Sequence, residues 1–212
     1  MIEYCIKHYD KVLTYLLEHL RLVFLSFLFA VIIAVPIGLF LSRKKSFQFP
    51  VVGFFNIIYA IPSLVLYTML IPITGLGAAS AIIALVLYSQ FSLVKNICEG
   101  FRGVDPAVLE AGRGMGIGKC ELFIKVELPL ALPVILSGMR LALSSITPMA
   151  LLATSIGGGG LGTLIFDGLR TNNWSKILLG TILSALLTVV VNVIFQRLER
   201  KARLRATGES TP

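Results

Sequence analysis

Residues 22–41 read LVFLSFLFAVIIAVPIGLFL, twenty positions without a charge, and Arg43-Lys44-Lys45 follows almost at once. A helix rises 1.5 Å per residue, so roughly 20 apolar residues cross the ~30 Å hydrocarbon core of a bilayer. The run is longer than the apolar region of a signal peptide, lacks an Ala-x-Ala site and stops against cations. It therefore reads as a stop-transfer span and not as a cleavable leader.

Four further segments have the same character. Residues 51–72 are interrupted by Pro62; residues 76–94 are polar only at Ser80, Tyr88, Ser89, Gln90 and Ser92; residues 131–153 carry one charge, Arg140; residues 177–195 carry none. The chain of 212 residues is 56% hydrophobic and only 14% charged, against ~25% charged in soluble domains. A soluble fold could not hide that much apolar surface. A nucleic-acid binder would explain the net charge of +8 but not the scarcity of charge. The expected fold is all-α and integral to a membrane with five spans, because open sheet edges do not survive in lipid.

Lys and Arg sort by side. Residues 43–45, the 95–130 segment and the C-terminal tail hold 13, whereas the other connections hold 5. The positive-inside rule then puts the N-terminus outside and the C-terminus inside. Residues 1–21 are expected to form a short amphipathic helix on the outer surface, with His8 and His19 solvated at the interface. Residues 22–197 would be the membrane domain and residues 198–212 a basic cytoplasmic tail. Cys5, Cys98 and Cys120 form no CxxC or Cys/His cluster, so neither a disulfide framework nor a metal site is expected.

No Asp or Glu lies in any of the five spans. Ion-coupled carriers and cation channels commonly need such acids, so the chain must draw its energy elsewhere or be passive. Arg140 either faces a hydrated pathway or packs on backbone carbonyls near the cytoplasmic end. Pro62 should kink its span and free a carbonyl, with either a curved pathway-lining helix or a purely structural bend as the result.

The cytoplasmic segment 95–130 carries the most specific pattern. Asp105 as N-cap and Pro106 at the first helical position start a short helix. Glycines at 112, 114, 116 and 118 end it. Residues 119–127 form a second helix that Leu128-Pro129 closes, giving a helix–turn–helix suited to docking a cytoplasmic partner. GMGIGKC at 114–120 is not a phosphate loop, because Arg113 and Cys120 stand where glycine and a hydroxyl are required.

Glu110-Ala111-Gly112, then Gly116, then Val126-Glu127-Leu128-Pro129 resembles the EAA loop of permease subunits of bacterial ABC importers. The spacing is kept, with Gly112 and Val126 as departures. The resemblance is closest to the osmoprotectant permeases for glycine betaine, carnitine and choline. It rests on further segments at 60–64, 70–77 (LIPITGLG), 103–109 (GVDPAVL), 126–136 and 157–169 (GGGGLGTLIFDGL). Methionine importers are the rival within the family, and a passive channel or ion-coupled carrier is the alternative outside it.

The resemblance implies a non-enzymatic permease of the bacterial plasma membrane. Asp105, Glu110, Ala111, Gly112, Gly116, Val126, Leu128 and Pro129 would couple it to an ATP-binding subunit, which alone would use ATP. Its further partners would be an extracellular or periplasmic solute-binding protein, a second permease copy or a related permease, and membrane lipid, with no nucleic acid. Glycines 157–160 and 162 would lie at the outer mouth, as a hinge or as a tight turn without a gating role. Aromatic faces suit a quaternary ammonium, so Asn56, Tyr59, Pro62, Tyr67, Tyr88, Gln90 and Arg140 are the pathway candidates. Interfacial tyrosines are also ordinary membrane anchors, as Trp174 is expected to be.

Overall fold

A computed structural model describes residues 2–207, of which 2, 3, 5 and 207 by backbone only. The Cys5 thiol and tail residues 208–212 lie outside the described residues. The elements are α1 (Ile2–Lys7), α2 (Tyr9–Arg43), α3 (Lys45–Ala60), α4 (Ser63–Thr74), α5 (Ala78–Arg102), α6 (Pro106–Gly114), α7 (Lys119–Leu122), α8 (Leu128–Leu152), α9 (Gly162–Arg170) and α10 (Trp174–Thr207). A π-helical turn (Phe123–Glu127) joins α7 to α8, and a 3₁₀ turn (Ala153–Ile156) follows α8. No strand occurs among the described residues.

Helix α5 is the centre of the bundle, packed between α2 and α8, and α10 closes on the far side of α8. Small residues set these separations. The buried stripe of α2 runs through Ser26, Ala30, Ala34 and Gly38, and a methyl on Gly38 would collide with Ile97 of α5. Between α5 and α8, a methyl on Gly138 would strike Asn96, and one on Gly100 would sit 3.0 Å from the Ala131 carbonyl. Without a hydrophobic drive between helices in lipid, such close approach supplies the dispersion contact that holds them together.

The second span departs from expectation. It is not one kinked helix but two, α3 and α4, bent by 100°. Ile61, the residue before Pro62, is extended at φ −68, ψ 130, as its proline neighbour favours. The carbonyl of Ile61 left free by the break accepts the hydroxyl of Tyr88 on α5, and the Tyr67 hydroxyl donates to the Met149 carbonyl at 3.1 Å. The pair still carries the chain from one end of the bundle to the other. Lys45 and Gln48 at its start share a cavity with Lys95 and Glu99. At its finish Thr74 meets Ser80 at 2.5 Å, and Gly77 N–H donates to Ile156 O at 2.7 Å.

Three sequence boundaries are also corrected. Residues 9–21 are not a separate surface helix; they continue unbroken into the first span, since no glycine or proline intervenes. Helix α5 runs on to Arg102, so the connection begins eight residues later than position 95 suggested. Leu128-Pro129 does not close a short helix. A helix from Lys119 to Ile156 runs straight through it, because Leu128 N–H reaches back to Phe123 O in the wider π pattern. An α-helical turn would have required an N–H that Pro129 lacks.

Replacing Tyr88 by Phe keeps the ring and removes only the donor to Ile61. The orphaned buried carbonyl should cost about 1–3 kcal/mol, read as a lower thermal midpoint in detergent. Tyr59→Phe loses only a long 3.5 Å contact with Ser145 and should leave the midpoint nearly unchanged. Equal midpoints for the two variants would remove Tyr88 from the account of the break.

Candidate functional site

The bundle end that bears Arg43 and Lys95, here called the basic end, carries a small projecting element. Asp105 caps α6, its Oδ1 accepting Ala107 N–H at 2.8 Å, with Pro106 in the first turn. The helix ends by folding back: Met115 N–H donates to Ala111 O at 3.0 Å and Ile117 N–H to Gly112 O at 3.2 Å. Gly116 sits between them at φ +80, with open space around its α-carbon, so conformation and not room demands glycine there. Gly112 is the reverse case. It is buried, and a methyl there would meet the δ-methyl of Leu122 on α7, which would have to turn aside.

The outer face of α6 is unpartnered. Glu110 and Ala111 are exposed there, with Val108 at 42% and Met115 at 74%. Its inner side rests on the bundle through half-buried Leu109. The start of α8 is held independently: Phe123 stacks on Phe101 of α5 at 5.6 Å, and buried Glu127 accepts from Arg43 of α2 at 2.7 Å. Sequence reasoning missed Glu127 and treated Arg43 as a topology signal only. An acid placed beside Leu128-Pro129 at the mouth of a span whose one charge is Arg140 was the available clue. Val126, Leu128 and Pro129 are half-buried beside it.

The pathway candidates separate into groups. Asn56 lines a cavity of about 450 Å³ at the basic end, with Phe91, Lys45, Lys95 and Glu99. Tyr59 is half-buried next to it, its ring 5.4 Å from Phe91 and 6.0 Å from Tyr88. Tyr67, Tyr88 and Gln90 are fully buried between helices; Gln90 Nε2 donates to Ala30 O at 3.2 Å. Pro62 marks the break. Arg140 neither faces that cavity nor rests on carbonyls: it lies 3.4 Å from Glu199 of α10, an ion pair without hydrogen-bond alignment.

At the opposite end the glycine-rich run forms a compact turn. Gly157, Gly159 and Gly160 all have φ between +74 and +85, which L side chains rarely adopt. Gly158 N–H donates to Ala153 O at 2.8 Å, Thr154 Oγ1 to Gly159 O at 2.9 Å, and Gly160 N–H to Glu18 Oε2 at 2.9 Å. Gly162 lies so close beneath the Leu151 carbonyl that a methyl cannot fit. His19 is not solvated. It is fully buried, and a methyl on Gly160 would sit 3.2 Å from its Nδ1. Beyond the turn, Asp167 on α9 accepts from Lys176 at 2.5 Å and Arg170 at 3.0 Å. Those hydrogen bonds hold its carboxyl below the ordinary range. The clamp is therefore intact at neutral pH and is lost only as pH falls through that lowered value. No group of side chains fit to hold a metal occurs among the described residues.

Gly116→Ala should cost about 1–2 kcal/mol through its left-handed backbone alone. Gly114→Ala, with ordinary φ and open space, should be neutral or slightly favourable to α6. Hydrogen exchange of the α6 amides in the purified chain distinguishes them: faster exchange for both or for neither would contradict the geometry.

Residues 20–204 match the family described as "Binding-protein-dependent transport system inner membrane component". Over 184 residues the chain is 37% identical to the glycine betaine/carnitine/choline transport system permease protein OpuCB of Bacillus subtilis (strain 168), covering 87% of this chain and 85% of that one. It is 34% identical over 187 residues to the osmoprotectant import permease protein OsmW of Salmonella typhimurium (strain LT2), covering 86% and 87%. Among solved structures, an inward-facing MetNI methionine ABC transporter chain superposes with a TM-score of 0.80 at 22% identity, over 91% of this chain and 96% of that one, a likeness of fold. With its bundle of apolar helices, its projecting EAA-type element and these relatives, the chain belongs to the binding-protein-dependent transport system inner membrane component family and is a transport permease, not an enzyme.

Proposed function

We propose that the chain is the membrane-spanning permease subunit of an ATP-driven importer for osmoprotectants, namely glycine betaine, carnitine, choline or related quaternary amines. The observation that carries the coupling role is α6: a capped helix with an open face of Glu110, Ala111, Val108 and Met115, projecting where the family's motif spacing falls. Small and apolar residues there let a cytoplasmic ATPase subunit approach the backbone closely. The solute class follows from what the printed names of the relatives say they carry.

In this reading the broken α3–α4 pair counts as one crossing, so five crossings put the N-terminus and the glycine turn outside and the basic end in the cytoplasm. The protein sits multi-pass in the bacterial plasma membrane. ATP is bound and hydrolysed by the partner and not by this chain. Closure of two ATPase subunits would push on α6, and the Gly116 turn would deliver that push to α7 and α8. Arg43–Glu127 would pass it to α2. Exposed Phe49, Ile57 and Ile73 on α3 and α4 form the face for a second permease, with Asn56 and Tyr59 toward the solute path. The α9 surface, rigidified by Asp167, would meet the external solute-binding protein.

Two variants test the coupling: Glu110→Trp and Gly116→Val should abolish solute uptake in cells while the chain still inserts in the membrane at normal level. Normal uptake by both would refute the assignment. Competition among labelled betaine, choline and methionine separates the osmoprotectant reading from an amino-acid importer. Uptake that persists without the ATPase subunit would point to a passive channel or ion-coupled carrier.

A further inference from the structure

A second groove lies at the basic end, between the beginning of α8 and the end of α10, and shares only Leu128 and Pro129 with the proposed coupling residues. Its volume is about 620 Å³. Leu128, Leu132 and Leu136 form one wall, spaced four apart on a single stripe of α8 about 12 Å long. Leu198 of α10 supplies the facing wall, and Lys201 and Arg205 stand at the rim. The groove thus changes along its length from wholly apolar to cationic.

Neither cation is neutralised among the described residues. Glu199, the nearby acid, is taken by Arg140 at 3.4 Å and Arg203 at 3.8 Å. No carboxylate among the described residues pairs with Lys201 or Arg205. They lie four apart on α10, both exposed, and so present one face.

We propose that this groove is a binding site for an anionic phospholipid, with an acyl chain along Leu132 and Leu136 and the phosphate between Lys201 and Arg205. Basic pockets between spanning helices on the cytoplasmic side attract anionic headgroups at about 1 kcal/mol per cation. A zwitterionic headgroup would bring its own ammonium up to the same two cations. A second copy of the chain docked by this face would set its own basic end against them. The inner end of the groove is Leu128-Pro129, so the lipid leans on the joint between the projecting element and α8. The placement rests on the cytoplasmic assignment of the basic end.

The full chain, purified in mild detergent, is titrated with phosphatidylglycerol or phosphatidylcholine and read by native mass spectrometry. One phosphatidylglycerol per chain should be retained in preference to phosphatidylcholine. Lys201→Gln with Arg205→Gln should weaken it about 30-fold, the equivalent of two cations. Arg197→Gln with Arg200→Gln removes the same charge from the same helix outside the groove and should keep the lipid. Leu136→Trp, which fills the groove, should lose the lipid while the thermal midpoint holds. Equal retention of both lipids, or an unaffected double variant at 201 and 205, overturns the proposal. So does a cross-link in membranes from Arg205→Cys to an ATPase subunit or a second copy. Labelling of Arg205→Cys from the cell exterior would instead overturn the orientation, leaving the lipid selectivity to be judged by itself.

Discussion

Inside hydrocarbon a backbone N–H or C=O finds no water, so every departure from regular helix must bring its own hydrogen-bond partner. Three of this chain's departures within or at the edge of its apolar bundle are each answered by a specific group. The Ile61-Pro62 break is met by the Tyr88 hydroxyl. The missing N–H of Pro129 is absorbed by the π turn, in which Leu128 reaches back to Phe123. The glycine turn closes its amides and carbonyls on Ala153, Thr154 and Glu18. Tyr88 and Glu18 come from neighbouring helices, so two of the irregular points also fix how the helices sit against one another.

Charge obeys the same constraint more severely. Arg140 and Glu127 lie where an isolated ion would be expensive, and each is matched: Arg140 with Glu199, Glu127 with Arg43. Both pairs lie at the basic end and join helices that are not consecutive. Removing Arg43 would leave the Glu127 carboxylate buried at 6% exposure, and an unmatched buried ion costs more than its pair is worth. The pairs therefore act as register marks between helices whose contacts are otherwise interchangeable aliphatic surface.

What the sequence disclosed follows from the range of the physics involved. An uncharged run such as 22–41, an Asp-Pro cap and a motif with fixed spacing are local, and the spans, the α6 cap and the family resemblance were all legible. The turn at Gly116 was legible as glycine, though not as a left-handed residue with free space around it. Arg43 and Glu127 are 84 residues apart and Tyr88 and Ile61 are 27 apart; nothing in either neighbourhood names the other. The same blindness placed His19 in solvent, and it gave no sign that Tyr67, Tyr88 and Gln90, named as pathway candidates, are buried between helices. A polar residue in an apolar span signals either a hydrated path or a partner on another helix, and one-dimensional spacing does not distinguish them. Pro62 was read correctly as a disturbance, but its size, 100° and not a gentle kink, was not legible in local spacing.

The two ends of α8 are tied to the same helix, and this has a mechanical consequence. Near one end Glu127 bonds Arg43; beyond the other, Gly160 bonds Glu18. Both partners belong to the uninterrupted 35-residue α2. Pro36 lies inside that helix and leaves it continuous, as Pro133 and Pro148 leave α8. Helices α2 and α8 therefore form a frame braced at both ends, whereas α3 and α4 meet at an open joint held chiefly by side-chain hydroxyls. If force enters through α6, as proposed, these two ties would link the basic end to the glycine turn. The open joint at Pro62 lies beside Tyr59 and the cavity that Asn56 lines. On the proposed reading, displacement entering at α6 would thus reach, through helices tied at both ends, the joint beside which the solute path is expected to lie.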